Sequence, residues 1–251
     1  MTNVDLVIVV LNYRTPALTI DCLASLSDKQ AELPRGFHVL LVENGSGDGS
    51  ADQLAAAIAD RGWTTWVTLM PLADNRGFAG GNNAALDLLN STYAAAPFAL
   101  LLNSDTIVHP GALRHGHAVM TADPKIGVMS CQLQSPDGSI QNATRMFPTP
   151  LKQSLCAFGL PWVWRSRFAW ADIYDVPDAL LHTKRDAEWL CGAFMFLRTE
   201  ALKHDIYIVP GKIFSLNGEY SNYIRLSFGR PWNEETEYGI MMLGKLIKKM
   251  I

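Results

Sequence analysis

The apolar residues of this chain fall into short continuous runs separated by stripes at helical spacing, and that alternation is its first structural signal. After Asp5, the segment to Leu11 has no polar interruption and is rich in β-branched residues, the pattern of a strand buried on both faces of a parallel sheet. Thr15 and Pro16 then supply a cap and a first-turn proline, and Leu18, Cys22, Leu23 and Leu26 recur at helical spacing. The unit repeats. His38 to Val42 predicts a second strand, Ser50 with Gln53 reads as a capping box ahead of Leu54 and Ile58, and Gly62 stops that helix. Trp66 to Met70 predicts a third strand, Gly81 to Leu89 a third helix and Phe98 to Asn103 a fourth strand. Such alternation predicts an α/β fold: a doubly wound, mostly parallel sheet flanked by helices, with ligands at the carboxyl ends of its strands.

Beyond a helix opened by Pro110 the pattern becomes mixed. Gly127 to Leu133 and Ser139 to Arg145 read as strands around a Pro136-Asp137-Gly138 turn, and Glu188 to Arg198 reads as one further strand. Near Leu202 the composition shifts again. From Tyr207 the chain offers a proline-glycine turn, a short strand over Tyr223 to Phe228, and a helix from about Glu234 with Ile240, Leu243, Leu246, Ile247 and Met250 on one face. Acidic residues at its start and lysines at its end suit the helix dipole.

A length of 251 residues and 49% hydrophobic content support a substantial core. The net charge of -3 leaves no basic footprint for nucleic acid, which is therefore not an expected partner. Cys22, Cys131, Cys156 and Cys191 form no CxxC pair, and the chain starts without a charged-then-apolar leader, so reduced thiols in a cytoplasmic protein are expected. No apolar run reaches the length of a membrane span. Leu151 to Trp170 is nevertheless aromatic enough either to lie on a membrane face or to wall a core or groove.

Three predicted strand ends carry the candidate chemistry. The second ends in Val42-Glu43-Asn44-Gly45-Ser46-Gly47-Asp48-Gly49-Ser50, and the fourth in Leu101-Leu102-Asn103-Ser104-Asp105-Thr106. Between them, Asn75-Arg76-Gly77-Phe78-Ala79-Gly80-Gly81-Asn82-Asn83 opens a helix with glycines that let backbone N–H groups approach a ligand closely. Glu43 and Asn44 can accept from and donate to a nucleobase edge, whereas Asp48 and Ser50 can satisfy the turn and cap the helix. Arg76 can pair with a pyrophosphate or stay solvated. Asp105 can either cap its turn or hold a hard divalent cation, since Mg²⁺ and Mn²⁺ accept one or two protein carboxylates and complete their shell with phosphates and water.

Taken in this order, these motifs, with Val-Ile-Val-Val-Leu-Asn-Tyr ending at Tyr13 and Cys-Gly-Ala-Phe-Met at 191–195, resemble the family 2 glycosyltransferases of the GT-A fold, particularly the bacterial rhamnosyltransferase-like branch. The resemblance runs from about Val4 to Leu202. It implies a nucleotide-sugar-binding half over residues 1–115 and an acceptor-side half over 116–202. Asn12 and Tyr13 would line the nucleoside pocket and Glu43 would read the pyrimidine of a UDP or dTDP sugar. Asn44, Arg76, Gly77, Asn82 and Asn103 would complete the donor site, and Asp105 would serve Mg²⁺ or Mn²⁺ in a DXD-like motif whose first aspartate is Asn103 here. A glycan or lipid-linked acceptor, inverting transfer and work at the inner face of the membrane are the further implications.

One family feature is absent. Relatives continue with a Glu-Asp-x-Asp loop that supplies the catalytic base; this chain has residues 203–251 instead, in which Glu219 falls near the expected distance. That tail resembles the C-terminal end of fold-type I aminotransferases, carried by Val-Pro-Gly-Lys-Ile-Phe, Arg225-Leu-Ser-Phe and the final Glu-Glu helix. The cofactor lysine's context is missing, so pyridoxal phosphate is not expected, and the chain reads as a fusion with impaired transfer. A non-catalytic nucleotide-binding module is the alternative. A dinucleotide oxidoreductase is disfavoured because no G-x-G-x-x-G follows the first strand.

Overall fold

A computed structural model of the chain describes residues 3–141 and 189–202 without a break, together with 144–145, 151, 154–155, 158, 208–210 and 224–226. The chain divides into two units, one of Met1–Met129 with Gly192–Ile251 and the other of Ser130–Cys191.

The first unit is built on β1 (Leu6–Asn12), β2 (Phe37–Glu43), β3 (Val67–Pro71) and β4 (Phe98–Asn103), all parallel. The uninterrupted apolar run has the expected consequence, since Leu6 to Val10 are wholly buried. Because side chains alternate across a strand, Val7 and Val9 join Leu40, Val42, Ala99 and Leu101 on one face. The same cluster takes Ala85, Leu86 and Leu89 from α3 (Gly77–Thr92) and Tyr93 from its C-terminal cap. Each fully buried Leu or Val there contributes about 1.5–3 kcal/mol, so this packing sets where α3 begins and what its first turn touches.

Further helices of this unit include α1 (Pro16–Leu26), α2 (Ser50–Asp60) and α4 (Ala112–Ala122). The four-strand order is extended by β5 (Val128–Met129) and by β10 (Phe194–Arg198), the tenth strand in chain order, giving β3-β2-β1-β4-β10-β5. The long strand expected over Glu188 to Arg198 is two: β9 (Trp189–Leu190), in the second unit, and β10 (Phe194–Arg198), with a turn at Gly192 and Ala193 between them. β10 runs antiparallel to β4, pairing Met195 with Leu101, and this makes the sheet mixed. Arg198 ends β10 by donating from Nη2 to the carbonyl oxygens of Met120 (2.7 Å) and Asp123 (3.2 Å), which ties off the C-terminus of α4.

Two helix starts differ from the sequence pattern. Ser50 is the first residue of α2 rather than its cap: Gly49 occupies the cap position at φ +84°, and the Asp48 carboxylate accepts from the Ser50 backbone N–H (3.0 Å) and hydroxyl (2.5 Å). Those bonds hold the Asp48 carboxyl below the usual carboxylate range. The helix α3 starts at Gly77, four residues earlier than expected, so Gly80 and Gly81 lie inside it. Gly81 sits closely against β1 and the end of β2: a Cβ there would lie 2.4 Å from Leu11 Cδ1, which would have to move aside, and 3.2 Å from the Asn44 side chain.

In the second unit, β6 (Leu133–Gln134) and β7 (Ile140–Gln141) form a hairpin around the expected turn, which Asp137 closes by accepting from the Ser139 N–H (2.9 Å). Here β8 (Thr144–Arg145) pairs antiparallel with β9. Most of the aromatic stretch 151–170 lies outside the described residues; Leu151 and Phe158 within it are exposed. In the tail, β11 (Ile208–Pro210) pairs with β12 (Ile224–Leu226), and β11 neighbours α3. The expected helix from Glu234 and the residue Glu219 lie outside the described residues. No described helix is long and apolar enough to cross a membrane.

Candidate functional site

Four parallel strands end at one edge of the sheet, and the polar last residues of three of them, Asn12, Glu43 and Asn103, are drawn together there by backbone pairing. The Asn12–Glu43 register continues one step as the Asn44 N–H donates to the Asn12 carbonyl at 2.9 Å, and the Leu72 N–H donates to the Glu43 carbonyl at 2.8 Å.

Asn44 is the hub. Its side-chain Nδ2 donates to Asn75 Oδ1 (2.9 Å) and to the Gly77 carbonyl (3.1 Å), while its Oδ1 accepts from the Arg76 N–H (3.1 Å). A buried side chain with all three bonds satisfied pins the entry of α3 to the end of β2. The junction is tight: Gly45 sits at φ +63°, and a Cβ on it would lie 2.3 Å from the Asp74 carbonyl carbon. The Gly77 N–H, itself at φ +69°, donates to Asn75 Oδ1 at 2.8 Å. The Arg76 side chain at this entry is exposed.

Glu43 is 3% exposed and its Oε1 accepts from the Ser46 N–H at 2.9 Å, so one carboxylate oxygen shapes its own turn. Asn82 is likewise buried, with Nδ2 donating to the Phe78 carbonyl one helical turn back (2.7 Å). Asn12 differs from both. It is wholly buried; its Oδ1 accepts from the Thr19 hydroxyl at 2.9 Å, but its Nδ2 has no partner among the described residues. An unsatisfied buried donor costs about 1–3 kcal/mol, which marks the end of β1 as a place where a ligand acceptor is wanted.

Tyr13 follows, 38% exposed, with the Arg14 guanidinium over its ring at 5.1 Å. Neither Arg14 nor Ser46 stands out in the sequence, yet the Arg14 N–H donates to Ser46 Oγ (2.9 Å) and Nε donates to the Ser46 carbonyl (3.3 Å). Only the Glu-Asn-Gly-Ser turn pattern could have hinted at Ser46; nothing local marks Arg14.

At the end of β4 the Asn103 carbonyl accepts from the Thr106 N–H (3.3 Å) and hydroxyl (2.6 Å), forming a turn that leaves Asp105 exposed. Beneath it, Cys22 Sγ lies 3.7 Å from the Asn103 carbonyl; burial pushes that thiol up to about 12, against the Thr106 hydrogen bond and with the Asp105 carboxylate adding to the rise. A thiol held neutral is packing, not a nucleophile. Among the described residues no three His, Cys, Asp or Glu side chains gather to hold a metal ion. A lone exposed carboxylate fits a cation that arrives with a diphosphate supplying its other ligands.

A model of the family described as Glycosyl transferase family 2 matches residues 5–204. Over 185 residues the chain is 26% identical to N-acetylglucosaminyl-diphospho-decaprenol L-rhamnosyltransferase of Mycobacterium tuberculosis, covering 71% of this chain and 56% of that protein. A 55-residue stretch is 38% identical to the uncharacterized HTH-type transcriptional regulator YdcR of Escherichia coli, 22% of this chain and 12% of the regulator. Among solved structures, the mannosyltransferase PcManGT from Pyrobaculum calidifontis, in complex with GDP-Man and Mn²⁺, aligns with a TM-score of 0.53 at 17% identity, over 82% of this chain and 47% of that one. The chain thus spans about half the length of the two transferases, and the likeness to the second is one of fold, a mostly parallel sheet flanked by helices.

Proposed function

The chain belongs to glycosyl transferase family 2, and on that premise we propose that it binds a nucleotide-diphosphate sugar of the UDP or dTDP type, together with Mg²⁺ or Mn²⁺, at the carboxyl ends of β1, β2 and β4. The observation that carries this reading is the single hydrogen-bonded rim made by the end of β1, the Glu43–Gly47 turn and the entry to α3, with the Asn12 Nδ2 left unpartnered within it. Asn12 and Tyr13 receive the nucleoside, and Glu43 reads the base edge from a turn already braced by Ser46. Asn44 and Asn82 hold Gly77 and its neighbours at close range to the sugar diphosphate, which Arg76 meets with its charge. Asn103 sets the turn that presents Asp105 to the cation. When bound, that cation offsets the charge of the departing diphosphate.

Transfer itself requires an acceptor hydroxyl to attack the anomeric carbon as the bond to the diphosphate oxygen breaks, with its proton passing to a base. Such a base contributes roughly 10²–10⁴ in rate. Residues 203–251 hold no Glu-Asp-x-Asp segment, and Glu219 is the one candidate substitute singled out there. We therefore read the chain as a donor-binding domain with slow transfer to a glycan or lipid-linked acceptor at the inner face of the membrane, its tail an aminotransferase-like addition. The mycobacterial relative's name, with its diphospho-decaprenol acceptor, supports that acceptor class.

Calorimetry tests the reading. UDP or dTDP, and their sugars, are expected to bind in Mn²⁺, and Asp105→Ala to weaken that binding several-fold while leaving the melting temperature unchanged. Absence of binding by the parent, or equal affinity in EDTA and Mn²⁺, refutes it.

A further inference from the structure

We propose that Arg14 is a positioning residue of the donor pocket: it braces the Tyr13 ring and the Glu43–Ser46 turn into the shape that accepts a pyrimidine base. The proposal rests on the donor-site reading above and adds to it a residue that no sequence motif marks.

Arg14 has φ +60° and is the only non-glycine with a positive φ among the described residues. That conformation costs an L-residue energy and costs glycine almost none. Strain of this kind persists where the surroundings over-determine it, and it clusters at ligand clamps. Burial does not supply the reason, because Arg14 is exposed. Nor does the backbone bond, since the N–H that donates to Ser46 Oγ (2.9 Å) would be present in glycine as well.

What glycine would lose is the guanidinium. Its Nε–H reaches the Ser46 carbonyl at 3.3 Å, and the same group lies 5.1 Å from the centre of the Tyr13 ring. Ser46 in turn donates its N–H to Glu43 Oε1 at 2.9 Å. One side chain thus couples the ring at the end of β1 to the carboxylate at the end of β2, flanking Asn12 with its unpartnered Nδ2. A flat ring gives a base a face to stack on, and an acceptor oriented beside it reads that base's edge; the fixed spacing between the two is what discriminates a pyrimidine from a larger purine. A planar fork on a stacked site holds both, and a lysine ammonium does not reproduce that geometry.

The test uses the full chain and its Arg14→Gly variant, with UDP, dTDP, ADP and GDP as probes in Mn²⁺. Glycine relieves the strain and keeps the backbone donor, so the melting temperature is expected to equal or exceed the parent's. Affinity for UDP and dTDP is expected to fall about ten-fold, the scale of losing a charge-assisted brace, and the preference for pyrimidine over purine nucleotides to shrink toward unity. Arg14→Asn, which tolerates the left-handed region, should give the same pattern and serves if the glycine variant misfolds; Arg14→Lys should recover less than half of the lost preference. Unchanged affinity and preference in Arg14→Gly overturn the proposal, as does a loss of affinity accompanied by a fall in melting temperature in both variants. A parent that binds none of the four nucleotides overturns the donor-site reading itself and this proposal with it, whereas a parent that binds while the variants match it overturns this proposal alone.

Discussion

Gly45 and Gly47 allow the packing of the donor rim to be separated from the conformation of its loop. Both have left-handed backbones, at φ +63° and +67°, so alanine carries about the same conformational cost at each, roughly 1–2 kcal/mol. Their surroundings differ. A Cβ on Gly47 meets nothing within 4 Å, whereas one on Gly45 lies 2.3 Å from the Asp74 carbonyl carbon and 2.6 Å from the Asn75 nitrogen. These are backbone atoms that cannot rotate away, so Gly45→Ala must push the Asp74–Gly77 segment off the end of β2, adding an overpacking cost of about 1–3 kcal/mol. Gly45→Ala should then cost about 2–5 kcal/mol in all, a fall of about 4–20 °C in melting temperature at 2–4 °C per kcal/mol for a domain of this size. Gly47→Ala should cost only the first part. The displaced segment carries the Asn75, Arg76 and Gly77 groups that Asn44 holds, so Gly45→Ala should also weaken UDP binding, and Gly47→Ala should not. Thermal melts and calorimetry on the two variants decide the matter: equal losses of stability would refute the steric argument, and a destabilised Gly45→Ala that binds UDP as the parent does would refute the link between the loop and the site.

Three further outcomes are expected. Glu43→Ala removes both the base-reading carboxylate and the acceptor for the Ser46 N–H (2.9 Å), so UDP or dTDP affinity should drop by about 1–3 kcal/mol in a titration, and no change would argue that the base lies elsewhere. His38, which packs 5.0 Å from the Tyr93 ring and 2.8 Å from Thr68 Oγ1, is held below its ordinary value of 6.5 by burial. A depressed histidine favours the neutral form in the fold, so stability is full above about pH 6.5 and declines as pH falls from there through the depressed folded value; melts between pH 7.5 and 5.0 should show a smaller decline for His38→Gln, and parallel curves would exclude the residue. Transfer to any glycan or lipid-linked acceptor should be slow or absent while donor binding persists, as read by release of nucleotide diphosphate; robust transfer abolished by Glu219→Gln would show instead that the tail supplies the base.

Residues 5–122 were legible as alternating strands and helices because the information there is local. A buried parallel strand must be apolar at every position, a helix must stripe, and turns between them need glycine or asparagine, so β1, β2, β4 and α1 could be read close to their ends. The same locality placed Asn12, Glu43, Asn44, Asn103 and Asp105 at strand ends, and so at one edge of any parallel sheet. Contacts between distant residues escaped this reading. The break before Phe194 and its antiparallel pairing with β4 follow from what lies beside the strand, not from its own apolar pattern. Gly77 to Gly80 looked like a turn ahead of the helix because glycine is a poor helix former, but α3 already begins at Gly77, where the Asn44 side chain holds its entry against the end of β2. The three bonds that fasten Asn44 to residues 75–77, and the Arg14–Ser46 brace, each join positions more than thirty residues apart. Side-chain type announces that an asparagine or arginine can make such bonds; only the packed sheet, by bringing a strand end and a distant loop or helix entry within hydrogen-bonding reach, decides which partner it meets.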